Sequence, residues 1–182
     1  MRAVALAIAG LLAACGAEPE PSEKPVLVQA IATPGWVLRD TTLYLPVNLI
    51  DERIEGSRLA DYMKNIRDEA IAFFAEQPQG NGASGSVVFI IQPGGQARIG
   101  IVTGEPQLPE AMRTALGQRL MKLTPPNVTG GPIMASLNFD VWGGGGWPAN
   151  HPTPLPEEWR RLILEGGGFI NDAFIQRVWE EG

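Results

Sequence analysis

Hydrophobic and polar positions alternate most regularly between residues 86 and 142. Ser86–Gln92 (SVVFIIQ) is a β-branched and aromatic run, Pro93-Gly94-Gly95-Gln96 is made of turn residues, and Ala97–Thr103 (ARIGIVT) alternates again, which predicts a β-hairpin. Over Leu108–Leu123 the period lengthens: Met112, Leu116, Leu120 and Leu123 form an apolar helical stripe. Pro109 stands where a helix start tolerates its missing N–H, and Thr124-Pro125-Pro126 ends the helix. Then Ile133, Ala135, Leu137, Phe139 and Val141 alternate with Met134, Ser136, Asn138, Asp140 and Trp142, a strand with one apolar and one mostly polar face.

Upstream, Leu59, Met63, Ile66, Ala70 and Phe73 recur at helical spacing, with Tyr62 and Phe74 widening the stripe, so a helix is expected over Ser57–Gln77. Ser57 is its candidate cap and Pro78 its stop. Gln79–Gly85 reads as a Gly/Ser/Asn loop, and Val26–Ile31 and Trp36–Val47 as short β-prone runs that extend or flank the sheet. Downstream, Gly143–Gly146 and the prolines around His151 form a connector. Two short helices follow, Glu157–Glu165 and Phe169–Glu180, separated by Gly166–Gly168; they either fold back on the domain or meet a partner.

These elements predict an α+β fold: a small antiparallel sheet with a β-β-α-β core, preceded by a helix, helices packed on one face, and a C-terminal helical tail. Phe89, Leu116 and Phe139 are expected in one buried cluster. In this order Ile133–Val141 is expected at a sheet edge that is either covered by the N-terminal strands or the tail after Gly146, or open to a partner, with Met134, Ser136, Asn138 and Trp142 as the binding residues beside it and Trp142 as the anchor.

Composition narrows the partners. The 182 residues carry 14 basic and 20 acidic side chains, a net charge of −6, which disfavours nucleic acid. Arg2 precedes an uncharged apolar run from Ala3 to Ala14, too short to span a bilayer and typical of an export signal. Cys15 is the only cysteine, so no disulfide can close within the chain, and Ala17–Pro25 (AEPEPSEKP) is a charged, proline-rich tether. The expected organisation is a signal at 1–14, a tether at 15–25, a domain at 26–142, a connector at 143–156 and a tail at 157–182.

Candidate chemistry is sparse. His151 is the only histidine and lies in the connector, so a transition-metal site or other cofactor is not expected. Gly82-Ala83-Ser84-Gly85-Ser86 fails the nucleophile-elbow pattern at its last position and precedes a strand instead of following one. Gly143–Gly146 leads into Trp147-Pro148, not into a phosphate-binding helix start. Asp51/Glu52, Asp68/Glu69 and Glu157/Glu158 are adjacent carboxylates, and neighbours on a helix point different ways. A hydrolase would need the fold to converge such groups.

Two resemblances follow from these residues. Leu12-Ala13-Ala14-Cys15-Gly16, placed after the apolar run, resembles the lipobox of bacterial lipoproteins, which implies cleavage before Cys15 and acylation of its thiol. Gly16, not Asp, after the cysteine resembles the outer-membrane form of the sorting rule. The helix, the hairpin GSVVFIIQPGGQARIGIV, the helix LPEAMRTALGQRLMKL and the strand PIMASLNFDVW are similar to the C-terminal periplasmic domain of the TonB and TolA proteins. That likeness covers roughly 59 to 142 and implies a docking module that adds a partner's strand. It departs from the family where Tyr62 is followed by Met63, not Pro, and where energy-transducing members carry a transmembrane helix. The expectation is therefore a lipid-anchored periplasmic adaptor of the outer membrane that binds an envelope protein, not an enzyme; the alternative is a small envelope hydrolase with an Asp/Glu pair.

Overall fold

The computed structural model describes residues 35–145 and 155–181. Cys15, the tether, the run Val26–Ile31 and His151 lie outside the described residues. Among the described residues nine elements follow in order: β1 (Trp36–Leu43), α1 (Val47–Arg53), α2 (Gly56–Ala75), β2 (Ala83–Gln92), β3 (Gln96–Thr103), α3 (Glu110–Leu120), β4 (Ile133–Val141), α4 (Glu157–Glu165) and α5 (Asp172–Glu181). The strands form one antiparallel sheet in the order β1-β4-β2-β3.

The β2–β3 hairpin forms where the turn residues stand, with Gly94 and Gly95 at φ 93° and 71°, conformations that a side chain would strain. Strand β2 begins at Ala83, earlier than expected, so Ser84 lies within the sheet and not in a loop. Its Oγ donates to Asp140 Oδ1 at 2.6 Å. Helix α1 had no counterpart in the sequence reading: seven residues, opened by Pro46, carry too little periodicity to announce a helix. The start of α2 also differs, because Glu55 is the cap residue and Ser57 donates to Glu55 Oε1 at 2.8 Å instead of capping the backbone.

Odd-numbered residues of β2 and β4 share one face with the odd-numbered residues of β3, because Phe89 pairs with Ala135 and Ile99, and Val87 with Leu137 and Ile101. Helix α2 covers this face. Tyr62 packs edge-on against Phe89 with ring centroids 5.6 Å apart, and Phe74 meets Phe139 at 6.3 Å. Phe89, Leu116 and Phe139 are all buried, as their apolar spacing required. Arg119 of α3 ties that helix to α2, bonding both Glu69 and, at 2.6 Å, Glu76. The Arg119 hydrogen bond holds the Glu76 carboxyl below its ordinary range.

The tail closes the opposite face. Arg98 donates to the Val178 carbonyl at 2.7 Å and lies 5.3 Å from the Trp179 ring centre. Buried Arg53 makes a two-pronged bond to Asp172 at 2.8 and 2.6 Å. A Cβ on Gly100 would come within 2.5 Å of Pro156 Cγ, so a residue without a side chain is what lets the start of α4 lie close on β3. Trp159, Leu162, Phe174, Ile175 and Val178 of the tail are buried. Of the two expectations for the tail, folding back is the one realised.

Candidate functional site: the outer edge of the third strand

The expected binding edge is not an edge. Strand β4 pairs with β1 on one side and β2 on the other, so its backbone has no free row for an added strand. The reason lies in β1, whose seven register partners run from Trp36–Val141 to Leu43–Ala135 and occupy the side that the hairpin leaves open. Both faces of β4 are buried as well.

The four candidate residues are spent inside the fold. Met134 is fully buried beside Ile90, in the row that continues to Arg98 and the tail. Ser136 is fully buried and its Oγ accepts from the Tyr44 hydroxyl at 3.3 Å. Burial pushes the Tyr44 hydroxyl up to about 12, partly offset by that hydrogen bond. Asn138 is half-buried and its amide donates to Asp40 and, at 3.2 Å, to Thr42 of the neighbouring strand. Trp142 sits at φ 50°, which turns its ring out of the even-numbered face and onto Phe74, with centroids 5.5 Å apart. It anchors α2, and only 9% of its surface is exposed.

Among the described residues the edges of the sheet are β1 and β3, and they differ in character. Strand β1 has a register irregularity between Leu38 and Asp40 and places Arg39, Asp40 and Thr41 in solvent, the bulge and charge that protect an edge. Strand β3 carries neither device over Ile99-Gly100-Ile101-Val102-Thr103. The backbone N–H of Gly104 donates to Ser84 O at 2.9 Å. Ladder bonds alternate in an antiparallel pair, so Arg98, Gly100 and Val102 point their polar groups at β2, while Ala97, Ile99, Ile101 and Thr103 point theirs away from the sheet.

A cavity of about 980 Å³ runs along that outward row. Helix α3 walls it on one sheet face, through Arg113, Thr114 and Gly117, and the start of α4 walls it on the other, through Pro156 and Arg160. Its floor is Ile99, Ile101 and Thr103. Glu105, Glu110, Glu157 and Glu158 stand exposed on its rim.

Of the adjacent carboxylates, Glu157 and Glu158 lie in this groove and the others do not. Asp68 is drawn to Lys64 and Arg67, and Glu69 to Arg119. Burial, which general-acid chemistry uses to keep a carboxyl protonated, is missing at the rim glutamates. Among the described residues no group of three or more His, Cys, Asp or Glu side chains is placed to hold a metal ion, and no helix is long and apolar enough to cross a membrane.

Comparison of the chain with protein family models, with curated proteins and with solved structures finds no match in any of the three.

Proposed function

We propose that the protein is a lipid-anchored periplasmic adaptor that captures an extended segment of an envelope protein by adding it as a strand to β3. The observation that carries this reading is the outer row of β3, unpaired among the described residues, lying along the floor of a groove between α3 and α4. Main-chain hydrogen bonds supply affinity, and the two helical walls read alternate side chains. The lipobox-like segment ending in Cys15 and the docking role of TonB and TolA domains support the same reading, with the contact moved from the last strand to the hairpin. The four glutamates of the groove are all exposed, which gives the hydrolase alternative, with its need for a shielded acid, less support.

Site-specific photocrosslinking in the native envelope tests it. A benzophenone side chain at Ile101 should crosslink to one discrete partner segment, whereas the same group at Leu43 on the charged β1 edge should not. Equal crosslinking from both edges, or none from Ile101, contradicts capture at β3.

A further inference from the structure

Most arginines of the described residues are ion-paired; exposed Arg161 is not, and neither are the two half-buried arginines of the groove. Arg39, Arg53, Arg58, Arg67, Arg119 and Arg177 all close ion pairs with carboxylates. Arg113 and Arg160 close none among the described residues, although four glutamates share their groove. Arg160 spends one Nη on the Leu155 carbonyl at 3.3 Å. Among the described residues eight buried side-chain polar atoms lack a partner, and three of them, Thr103 Oγ1, Arg113 Nε and Arg160 Nε, belong to this lining. These three atoms are themselves covered, so the donors left for a groove ligand are the Nη groups of the two arginines, which carry no carboxylate partner.

We infer that the groove reads an extended peptide bearing two acidic side chains at positions of opposite parity, one for Arg113 and one for Arg160. This rests on strand addition at β3. A strand laid along that edge turns successive side chains to opposite sheet faces. Arg113 lies on the α3 wall over one face and Arg160 on the α4 wall over the other, so adjacent residues of the peptide meet different arginines. Guanidinium groups match carboxylates with paired hydrogen bonds, and both are half-buried, where such bonds are less screened than on open surface. Four exposed glutamates share the lining, so acidic residues other than the two held by the arginines are repelled and Lys or Arg is favoured in their place. The occupant is therefore acidic at those two positions and basic at flanking ones.

The test is a fluorescence anisotropy titration of the full chain with the amidated peptide Lys-Val-Thr-Glu-Glu-Val-Thr-Lys and with its Gln-Gln counterpart. The acidic peptide should bind about ten- to a hundredfold tighter, the range of one or two charge-assisted hydrogen bonds. Arg113→Gln and Arg160→Gln should each weaken the acidic peptide about tenfold and leave the Gln-Gln peptide unchanged, a selectivity that mere loss of fold does not produce. Equal affinity of the two peptides, or equal loss for both in the arginine variants, overturns the carboxylate assignment and leaves strand addition standing. If a Gln-Gln peptide with a free C-terminus matches the amidated acidic one, the arginines hold a terminal carboxylate and the side-chain assignment falls. If neither peptide binds and the Ile99 and Ile101 amide resonances do not move, both readings fall together.

Discussion

Replacing Ile101 or Val102 by proline separates an outward backbone position from an inward one on the same strand. Proline has no N–H, so its cost beyond alanine at the same site reports what that N–H was bonded to. At Val102 the lost donor faces Ser86, whose residue is fully buried, so its carbonyl has no water to turn to. A buried acceptor left unsatisfied costs about 1 to 3 kcal/mol, and the ring's misfit in the ladder adds to that. At Ile101 the N–H points into the groove, so no ladder bond is lost and the difference between proline and alanine should stay below about 1 kcal/mol. Alanine controls remove the side-chain contribution, since both residues are only half-buried. Urea denaturation of the four variants gives the comparison, with equal m-values confirming that the unfolding reaction is unchanged. If proline at Ile101 costs as much beyond alanine as proline at Val102 does, the outward row is already paired and β3 is not an available edge.

Three further outcomes are expected. Phe139→Ala should lose about 3 to 5 kcal/mol, because the ring is buried and packs between Trp36 and Phe74, while Leu43→Ala on the exposed edge should lose about 1 kcal/mol or less; similar urea midpoints would mean that the faces are misassigned. The sequence holds two tyrosines, Tyr44 and Tyr62, and burial pushes both hydroxyls up to about 12, so the neutral forms favour the fold and stability should fall as pH rises from 10 toward 12; tyrosinate absorbance should develop in step with loss of near-ultraviolet circular dichroism, and a tyrosine ionising near 10 in the intact fold would contradict this. Cys15→Ser should move the protein from the membrane fraction to the soluble one under high salt without altering its melting; retention on membranes would remove the lipid anchor from the account.

What could be read from residues alone divides along a physical line. Period and punctuation identified the hairpin, α2, α3, β4 and the two tail helices, because each depends on spacing and turn chemistry within its own segment. Pairing order is not local. The even-numbered residues Ser136, Asn138 and Asp140 looked like a mostly polar face, yet they meet Tyr44, just past β1, and Thr42 and Arg39 within it, about a hundred positions earlier. Trp142 belonged to the same row by parity, and one left-handed residue moved its ring to the other side of the sheet.

The groove arginines were concealed differently. Arg113 follows Glu110, and Arg160 follows Glu157, at the three-residue spacing that ordinarily pairs charges on a helix, so nothing in the sequence marks either as unpaired. The fold closes neither pair, and it brings the two helices to opposite walls of one groove. The one signal in the sequence was that Ile99–Thr103 is uncharged whereas the β1 segment carries charge, which distinguishes an edge meant to pair from an edge meant not to.

Residue-resolved amide hydrogen exchange across β3, with and without the Glu-Glu peptide, tests strand capture most directly. In the free protein the amides of Ile99 and Ile101 should exchange fast and those of Gly100 and Val102 slowly, following the alternation of the ladder. Saturating peptide should slow Ile99 and Ile101 and leave the other two as they were. Slow exchange at all four positions without peptide, or fast exchange at Ile99 and Ile101 that saturating peptide leaves unchanged, would contradict the account.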